Sequence, residues 1–187
     1  QLTVDHAITQ VAGENGIVLG GTNYLDIANN STISGDSGIA MTQGSEYNGN
    51  IINGGSISGT ENGIAITDAA MNGYIQNNGT ISGGDFAIYS YGNTNAVDYR
   101  GNGNLNGGIY TDSGIEFSGM SRAPITGVSG SGGMTYSDKG GATTLSLAYN
   151  SGSDGSAEII SDLGDLNLSN LTVDLSLDGN IWPATSD

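Results

Sequence analysis

A repeat of about 24 residues is the feature that most constrains how this chain can fold. Three segments carry it most clearly: NNSTISGDSGIAMT at residues 29–42, NGGSISGTENGIAIT at residues 53–67 and NNGTISGGDFAIYS at residues 77–90. Five copies of one apolar position recur at intervals of 24 or 25 residues: Ile8, Ile33, Ile57, Ile81 and Leu105. A fixed period of this length predicts stacked repeats, each of which buries its apolar side against its neighbours.

Two further apolar columns follow the same period. The second column is predicted to contain Ile17, Ile39, Ile64, Phe86 and Ile115. The third is predicted to contain Ile27, Ile51, Ile75 and either Val97 or Tyr99. Segments such as GIAMT and GIAIT alternate with a period of two, which is typical of half-buried strands. Glycine interrupts them too often for helices, so each repeat is predicted to hold three short strands.

Three short strands per repeat at a constant period predict an all-β fold, the right-handed parallel β-helix, with about 24 residues per coil. Successive coils of such a solenoid stack about 4.8 Å apart, so that equivalent side chains form ladders along its axis. Isoleucine suits such a ladder because its branched side chain packs well on a pleated surface. The alternative is an up-and-down antiparallel β domain in which the repetition is coincidental.

Asn29, Asn53 and Asn77 form a polar column of the same period, four residues before Ile33 and its equivalents. Asparagine tolerates the left-handed backbone conformation that a sharp corner needs, and stacked amides can hydrogen-bond between coils. These residues are therefore predicted to have a structural role.

The repeat pattern changes near residue 118, and three segments are predicted. Residues 1–117 form the parallel β-helix coils. Residues 118–144 are rich in Gly and Ser and contain Pro124, which indicates an irregular coil, an insertion or a linker. Residues 145–187 contain the alternating runs LSLAY and DLNLSNLTVDLSLDG, which are typical of longer strands with one buried face and admit antiparallel pairing. This last segment is predicted to be a C-terminal β cap or module that covers the end of the solenoid.

The charge balance excludes several partners. The chain has 19 acidic and 3 basic residues and a formal net charge of −16. Three cations cannot form a phosphate-binding patch, so nucleic acid is excluded as a partner, and an anionic membrane surface would repel the chain. No segment approaches the roughly 18 consecutive apolar residues of a membrane-spanning helix, so no membrane insertion is expected.

The repeated phrases NNGTISG, INGGSISG and NGIAIT resemble the passenger domains of autotransporter adhesins. The resemblance covers about residues 1–117 and implies a right-handed parallel β-helix, secreted or displayed on the bacterial cell surface. It carries no active-site motif, so it implies no site residue. Tailspikes and pectin-active enzymes share the architecture, so the likeness bears on the fold more than on the function. A chain of 187 residues also leaves no room for a membrane-embedded barrel, which favours a passenger fragment or a small secreted protein.

The sequence predicts no enzyme. His6 is the single histidine, and no GxSxG elbow accompanies it, so nucleophilic catalysis by a Ser-His-Asp arrangement lacks its usual parts. A hydrolase of neutral glycans stays open as an alternative, because it needs only two carboxylates about 5–9 Å apart. No cofactor is expected other than a hard cation such as Ca²⁺. Its candidate ligands are three carboxylates, each three residues before a position of the second column: Glu14, Asp36 and Glu61. The alternative is that each of them points into water.

The predicted function is that of an extracellular structural or adhesive β-solenoid, which associates with itself or adheres to surfaces, including surface glycans. Self-association is predicted for an apolar C-terminal run, which would otherwise fold back on its own chain: Leu166, Leu168, Leu171, Val173, Leu175 and Leu177. The alternatives are a glycan-binding or glycan-hydrolysing β-helix and a filament or surface-layer subunit. An aromatic groove would favour glycan binding, because sugars stack on aromatic faces. The tyrosines available for it are Tyr24, Tyr47, Tyr74, Tyr89, Tyr91 and Tyr99.

Overall fold

The computed structural model describes residues 1–116 with their side chains and, beyond them, the backbones of strands up to residue 177. Every regular element in the described residues is a β-strand. In the first five coils the strands are β1 (Leu2–Val4), β2 (Ile8–Thr9), β3 (Ile17–Leu19), β4 (Thr22–Asn23), β5 (Ile27–Asn29), β6 (Thr32–Met41), β7 (Glu46–Tyr47), β8 (Ile51–Asn53), β9 (Ser56–Thr67), β10 (Ala70–Met71), β11 (Tyr74–Asn77), β12 (Thr80–Tyr91), β13 (Val97–Arg100), β14 (Asn104–Thr111) and β15 (Ile115–Ser118). The later strands are β16 (Val128–Ser129), β17 (Met134–Ser137), β18 (Thr143–Tyr149), β19 (Ile160–Ser161), β20 (Leu166–Ser169) and β21 (Leu171–Leu177).

Three parallel sheets wind around one core. Sheet A has the order β1-β5-β8-β11-β13-β15-β17-β20. Sheet B, which contains the longest strands, has the order β19-β16-β14-β12-β9-β6-β2, with β3 also paired to β6. Sheet C is short and has the order β10-β7-β4. Because every coil adds strands to sheets A and B, and the first three coils also add one strand each to sheet C, the chain forms a β-solenoid, which confirms the predicted fold class.

The first predicted column forms one continuous ladder in sheet B. Cα register pairs join Ile8 to Ile33, Ile33 to Ile57, Ile57 to Ile81 and Ile81 to Leu105. The side chains of Ile33, Ile57 and Ile81 are fully buried. Full burial of one such side chain contributes about 1.5–3 kcal/mol, so this ladder is a major part of the folding free energy.

The second predicted column is wrong at its last two positions. The ladder runs from Ile17 through Ile39 and Ile64 to Ile88 and Ile109. Phe86 instead pairs with Asn62 and Gly108 and is only half-buried. Its place in the sequence after an acidic turn suggested the core, but the register puts Ile88 opposite Ile64.

The predicted segments also divide differently among the strands. The first two columns lie on the same long strands, because β6, β9 and β12 each run through both. Ile115 belongs to sheet A, where it pairs with Val97. In the first three coils the third strand is the short one of sheet C, whose buried residues include Tyr47 and Met71. Its two-residue strands carry too little pattern to be recognised from sequence.

The third predicted column is confirmed in sheet A. Ile27, Ile51 and Ile75 are in register, and Tyr99 rather than Val97 follows Ile75. Val97 is also buried, but it stands two residues earlier in β13. A tyrosine is acceptable in this ladder because its hydroxyl accepts a hydrogen bond from Asn77 Nδ2 at 2.9 Å.

The asparagine column forms a buried ladder of amides, as predicted. Asn29 Nδ2 donates to Asn53 Oδ1 at 2.8 Å, and Asn53 Nδ2 donates to Asn77 Oδ1 at 2.8 Å. All three side chains are completely buried. The predicted left-handed conformation is wrong, since Asp68 is the one non-glycine residue at positive φ in the described part of the chain. The asparagines instead end strands of sheet A and satisfy one another between coils.

The strands after residue 118 pair in parallel, whereas the sequence admitted antiparallel pairing. Strands β16 and β19 extend sheet B, and β17 and β20 extend sheet A. The segment 118–144, predicted to be irregular, thus contains two strands of the solenoid sheets. Strand β21 pairs with β18 in a separate two-stranded sheet. The division of the chain into three domains stays a prediction.

Two buried phenols make the stability of the fold sensitive to high pH. Burial raises the pKa of Tyr47 to about 12, with a smaller contribution from Asp26, and burial raises the pKa of Tyr99 to about 12. A phenol in the unfolded chain titrates near 10. The stabilisation by the neutral phenols is therefore complete below pH 10 and is lost as the pH rises through 12.

We expect the urea midpoint of unfolding to fall between pH 10 and pH 12. Tyr47→Phe/Tyr99→Phe is expected to be less stable at pH 8, because Tyr47 Oη donates to the carbonyl of Leu25 at 2.8 Å. Its midpoint should nevertheless depend less on pH above 10 than that of the parent chain. Equal pH dependence of the two proteins would contradict the assignment.

Candidate functional site

Sheet B carries two outward-facing columns that change from large to small side chains at the same coil. In one column Tyr110 pairs with Tyr89, Tyr89 with Ala65, and Ala65 with Ala40. In the other column Phe86 pairs with Asn62, and Asn62 with Ser37. The size of the side chains drops between β12 and β9 in both columns, which leaves a depression over the earlier coils.

An aromatic cluster stands on the large side of this step. Its members are Phe86, Tyr89, Tyr91 and Tyr110. The ring centroids of Tyr89 and Tyr110 lie 5.2 Å apart, with planes at 22°, and those of Phe86 and Tyr89 lie 5.7 Å apart. Burial among these rings raises the pKa of Tyr89, and the neighbouring Tyr110 adds to that shift. Each ring of the cluster packs on another, and all four residues lie in paired strands.

The depression is a groove of about 470 Å³. Ala40 and Ala65 line its floor, and Phe86 and Tyr89 form its aromatic end. The polar lining includes Glu61, Asn62 and Asp85. We call this feature the aromatic groove. Its volume falls within the range of about 300–1,000 Å³ that is usual for small-ligand sites.

Two glycines let the coils approach each other beneath the aromatic groove. A Cβ at Gly63 would lie 2.6 Å from both the Ala87 carbonyl oxygen and Ile81 Cγ2. A Cβ at Gly38 would lie 2.6 Å from Ile57 Cγ2. Each glycine precedes an isoleucine of the second column, so a larger residue would displace the strands that carry the groove floor.

Of the three predicted calcium ligands, Glu61 lines this groove, whereas Asp36 lines a separate cavity. Asp36 Oδ1 accepts hydrogen bonds from Gly13 N at 2.9 Å and from Thr60 Oγ1 at 3.1 Å. Glu14 and Glu61 are exposed. The register shifts by one residue between Gly35 and Ser37, so Asp36 meets Thr60 of the next coil.

The register places Glu61 and Asp85 at equivalent positions of β9 and β12, each just before the pair Asn62 and Phe86. Within residues 1–116, no group of three His, Asp or Glu side chains is close enough to hold a metal ion. Calcium binding to the acidic turns stays a prediction. Calorimetry in millimolar Ca²⁺ against chelator checks it, because a cation that binds the folded state raises the melting temperature.

The six tyrosines predicted as candidates for a groove fall into four environments. Tyr47 and Tyr99 belong to the core, and Tyr89 and Tyr91 to the aromatic cluster. Tyr24 is 75 % exposed, and its ring makes no aromatic contact with the other residues of 1–116. Tyr74 lies in sheet A beneath the Arg100 guanidinium, which is 4.0 Å from its ring centroid.

Sequence reasoning missed Tyr110 and Asp85, and it placed Phe86 in the core. The 24-residue interval from Ala65 to Tyr89 was visible, but it did not reveal which column faces outward. Ile88 and Ser90 alternate with Tyr89, and their complete burial assigns that ring to the outer face.

The residues predicted for self-association lie on two different strands. Leu166 and Leu168 are in β20, which pairs with β17. Leu171, Val173, Leu175 and Leu177 are in β21, which pairs with β18. Both strands thus pair with the backbone of their own chain.

These observations define the class of protein: a parallel β-solenoid with an aromatic groove on the outer face of its longest sheet. Comparison with family models, with curated proteins and with solved structures returned no match to this chain. In the described residues no helix is long and apolar enough to cross a membrane.

Proposed function

We propose that this chain is an extracellular adhesive β-solenoid, secreted or held on a bacterial cell surface. It acts as a binding scaffold without catalysis. Its repeated sequence segments resemble those of the passenger domains of autotransporter adhesins. The observation that carries the proposal is the aromatic cluster on the outer face of sheet B. Core packing does not require four aromatic rings there, since the ladders of Ile57 and Ile64 already fill the interior.

Tyrosine on a rigid sheet is well suited to adhesion. A tyrosine ring offers a large contact area at a low cost in conformational entropy, and tyrosine is enriched in binding interfaces. Tyr91 is 47 % exposed, and Phe86, Tyr89 and Tyr110 are half-buried, so the rings are both held and accessible. The continuous strands beneath them hold the contact surface in one geometry, which lowers the ordering cost of binding.

The charge of the chain sets the conditions under which copies associate. A net charge of −16 repels a second copy at low ionic strength. Salt screens that repulsion over about 10 Å at 0.1 M, so homotypic contact strengthens as salt rises. An uncharged surface ligand would meet no such barrier.

Beads coated with the protein test the proposal. We expect them to adhere to a surface coated with desialylated mucin or to clump at 0.15–0.5 M salt, conditions chosen to screen the net charge. Tyr89→Ala/Tyr110→Ala should reduce adhesion at least tenfold, whereas Tyr24→Ala, which removes a more exposed ring elsewhere, should not. The proposal would be overturned if beads coated with the parent chain adhered no better than uncoated beads, or if beads coated with the double variant adhered as well as those coated with the parent chain. Equal melting temperatures for the two variants serve as the folding check.

A further inference from the structure

We propose that the aromatic groove is a binding site for a neutral glycan, with one pyranose ring stacked on Tyr89. This inference rests on the adhesive function proposed above and names the class of its ligand. The groove supplies an aromatic face, hydrogen-bond acceptors and an acidic rim, and each of these features narrows the chemistry of the occupant.

The aromatic face comes from the interrupted ladder. Tyr110 packs on Tyr89 from the following coil, whereas the preceding coil offers only Ala65 at the matching position. Tyr89 and Ala65 both line the groove. The space over Ala65 is therefore where the next ring of the ladder would lie. A flat apolar face of a ligand fills it, and the C–H face of a pyranose is such a surface.

The lining of the groove supplies hydrogen-bond acceptors and also hydroxyl groups that can donate, the latter from Ser37, Thr67 and Tyr89. The side chains of Glu61 and Asp85 offer carboxylate oxygens as acceptors. Asn62 Oδ1 is buried and receives no hydrogen bond from the described residues. A ligand with several hydroxyl groups matches this mixed set, because each hydroxyl can both donate and accept, and hydroxyls are what a sugar presents around its ring.

The charge of the rim excludes acidic sugars. Glu61 and Asp85 are exposed at this rim and would repel a uronate or a sialic acid, because a ligand bound in the groove would lie closer to them than the Debye length of about 10 Å. Arg100 is the one Lys or Arg among the residues described with side chains, and it lies on sheet A. Its Nη2 is 2.6 Å from Asp98 Oδ2, and that hydrogen bond raises the pKa of Arg100. It is thus engaged away from the groove, and an uncharged glycan is the class that fits.

Titration of the whole chain with short neutral oligosaccharides tests the proposal, with matched uronate oligomers as the charged comparison. Saturation-transfer NMR and calorimetry are suitable readouts. Ala65→Tyr is the decisive variant, because it continues the ladder and fills the groove without removing a lining group. We expect it to weaken neutral-glycan binding at least tenfold. Tyr89→Ala should do the same, while Tyr89→Phe keeps the ring face and should bind within threefold of the parent chain. Tyr24→Ala is the control for an exposed ring.

The outcomes separate this inference from the proposed function. If the beads adhere but no neutral oligosaccharide binds, the glycan inference fails and adhesion stands. If binding of oligosaccharides is unchanged by Ala65→Tyr, the glycan lies elsewhere and the assignment of the groove fails. Preference for uronates also contradicts it. If sedimentation shows a dimer that Ala65→Tyr dissociates, the occupant is a second copy of the chain, and the inference is again overturned.

Discussion

Ile57→Asp is expected to unfold the solenoid at neutral pH. Ile57 is completely buried and lies between Ile33 and Ile81, so a carboxylate there would have only aliphatic neighbours above and below it in the ladder. The variant loses the transfer free energy of the isoleucine and buries a charge without a partner. The expected cost is about 5 kcal/mol or more, which is comparable with the whole stability of many domains.

Val18→Asp is the matched control. Val18 is also a β-branched residue in a paired strand of sheet B, but it is 53 % exposed. We expect this variant to lose about 1 kcal/mol or less, as is usual for exposed positions. Circular dichroism and urea denaturation measure both proteins. Comparable losses in the two variants would mean that the Ile57 ladder is not the core.

Asn53→Asp is expected to have the second-largest effect on stability, although it only replaces the amide NH2 group of the side chain by an oxygen. Asn53 Nδ2 donates to Asn77 Oδ1 at 2.8 Å and to the Thr80 carbonyl oxygen at 3.0 Å. A carboxylate would face both acceptors with no proton to offer, in a completely buried site. The expected cost at pH 7 is about 3–5 kcal/mol.

The pH dependence of this variant provides an internal check. Because burial and the facing acceptors disfavour the charged form, the pKa of the new carboxyl in the folded state should rise above the ordinary value of about 3.9. Relative to the parent chain, Asn53→Asp should therefore regain stability as the pH falls below that raised pKa, since a protonated carboxyl restores one donor. Asn78→Asp, at an exposed asparagine in the next coil, should change stability little. Loss of stability that is equal at the two positions would disprove the buried amide ladder.

The fold could be predicted because its determinants repeat. Ile33, Ile57 and Ile81 stand at equal intervals, and one buried position seen three times gives the period, the strand type and the ladder together. Phe86 was misplaced because the interval between the first two columns varies from coil to coil. The register of the whole strand, and not the hydrophobicity of one residue, decides that Ile88 faces inward.

The groove could not be predicted for a different reason. It arises where Tyr89 meets Ala65 across two coils, so it depends on which side of the sheet each column faces. Alternation alone leaves that choice open when buried and half-buried residues are both apolar or small. Sheet C was also missed, because a strand as short as Glu46–Tyr47 has no period to detect.

The parallel register has a consequence for how such a chain acquires its structure. Through Ser118, paired residues are separated by 18 positions (Val97 to Ile115) to 25 positions (Leu2 to Ile27). The entropy of loop closure depends on that separation and not on the total number of coils. Lengthening the solenoid therefore adds more closure steps of the same size, and the folding barrier need not grow with length as it does for sheets that join distant segments. A coil that is already formed is the template for the next coil. The chain can therefore fold coil by coil, from one end to the other, as it leaves a tunnel or pore too narrow for folded protein.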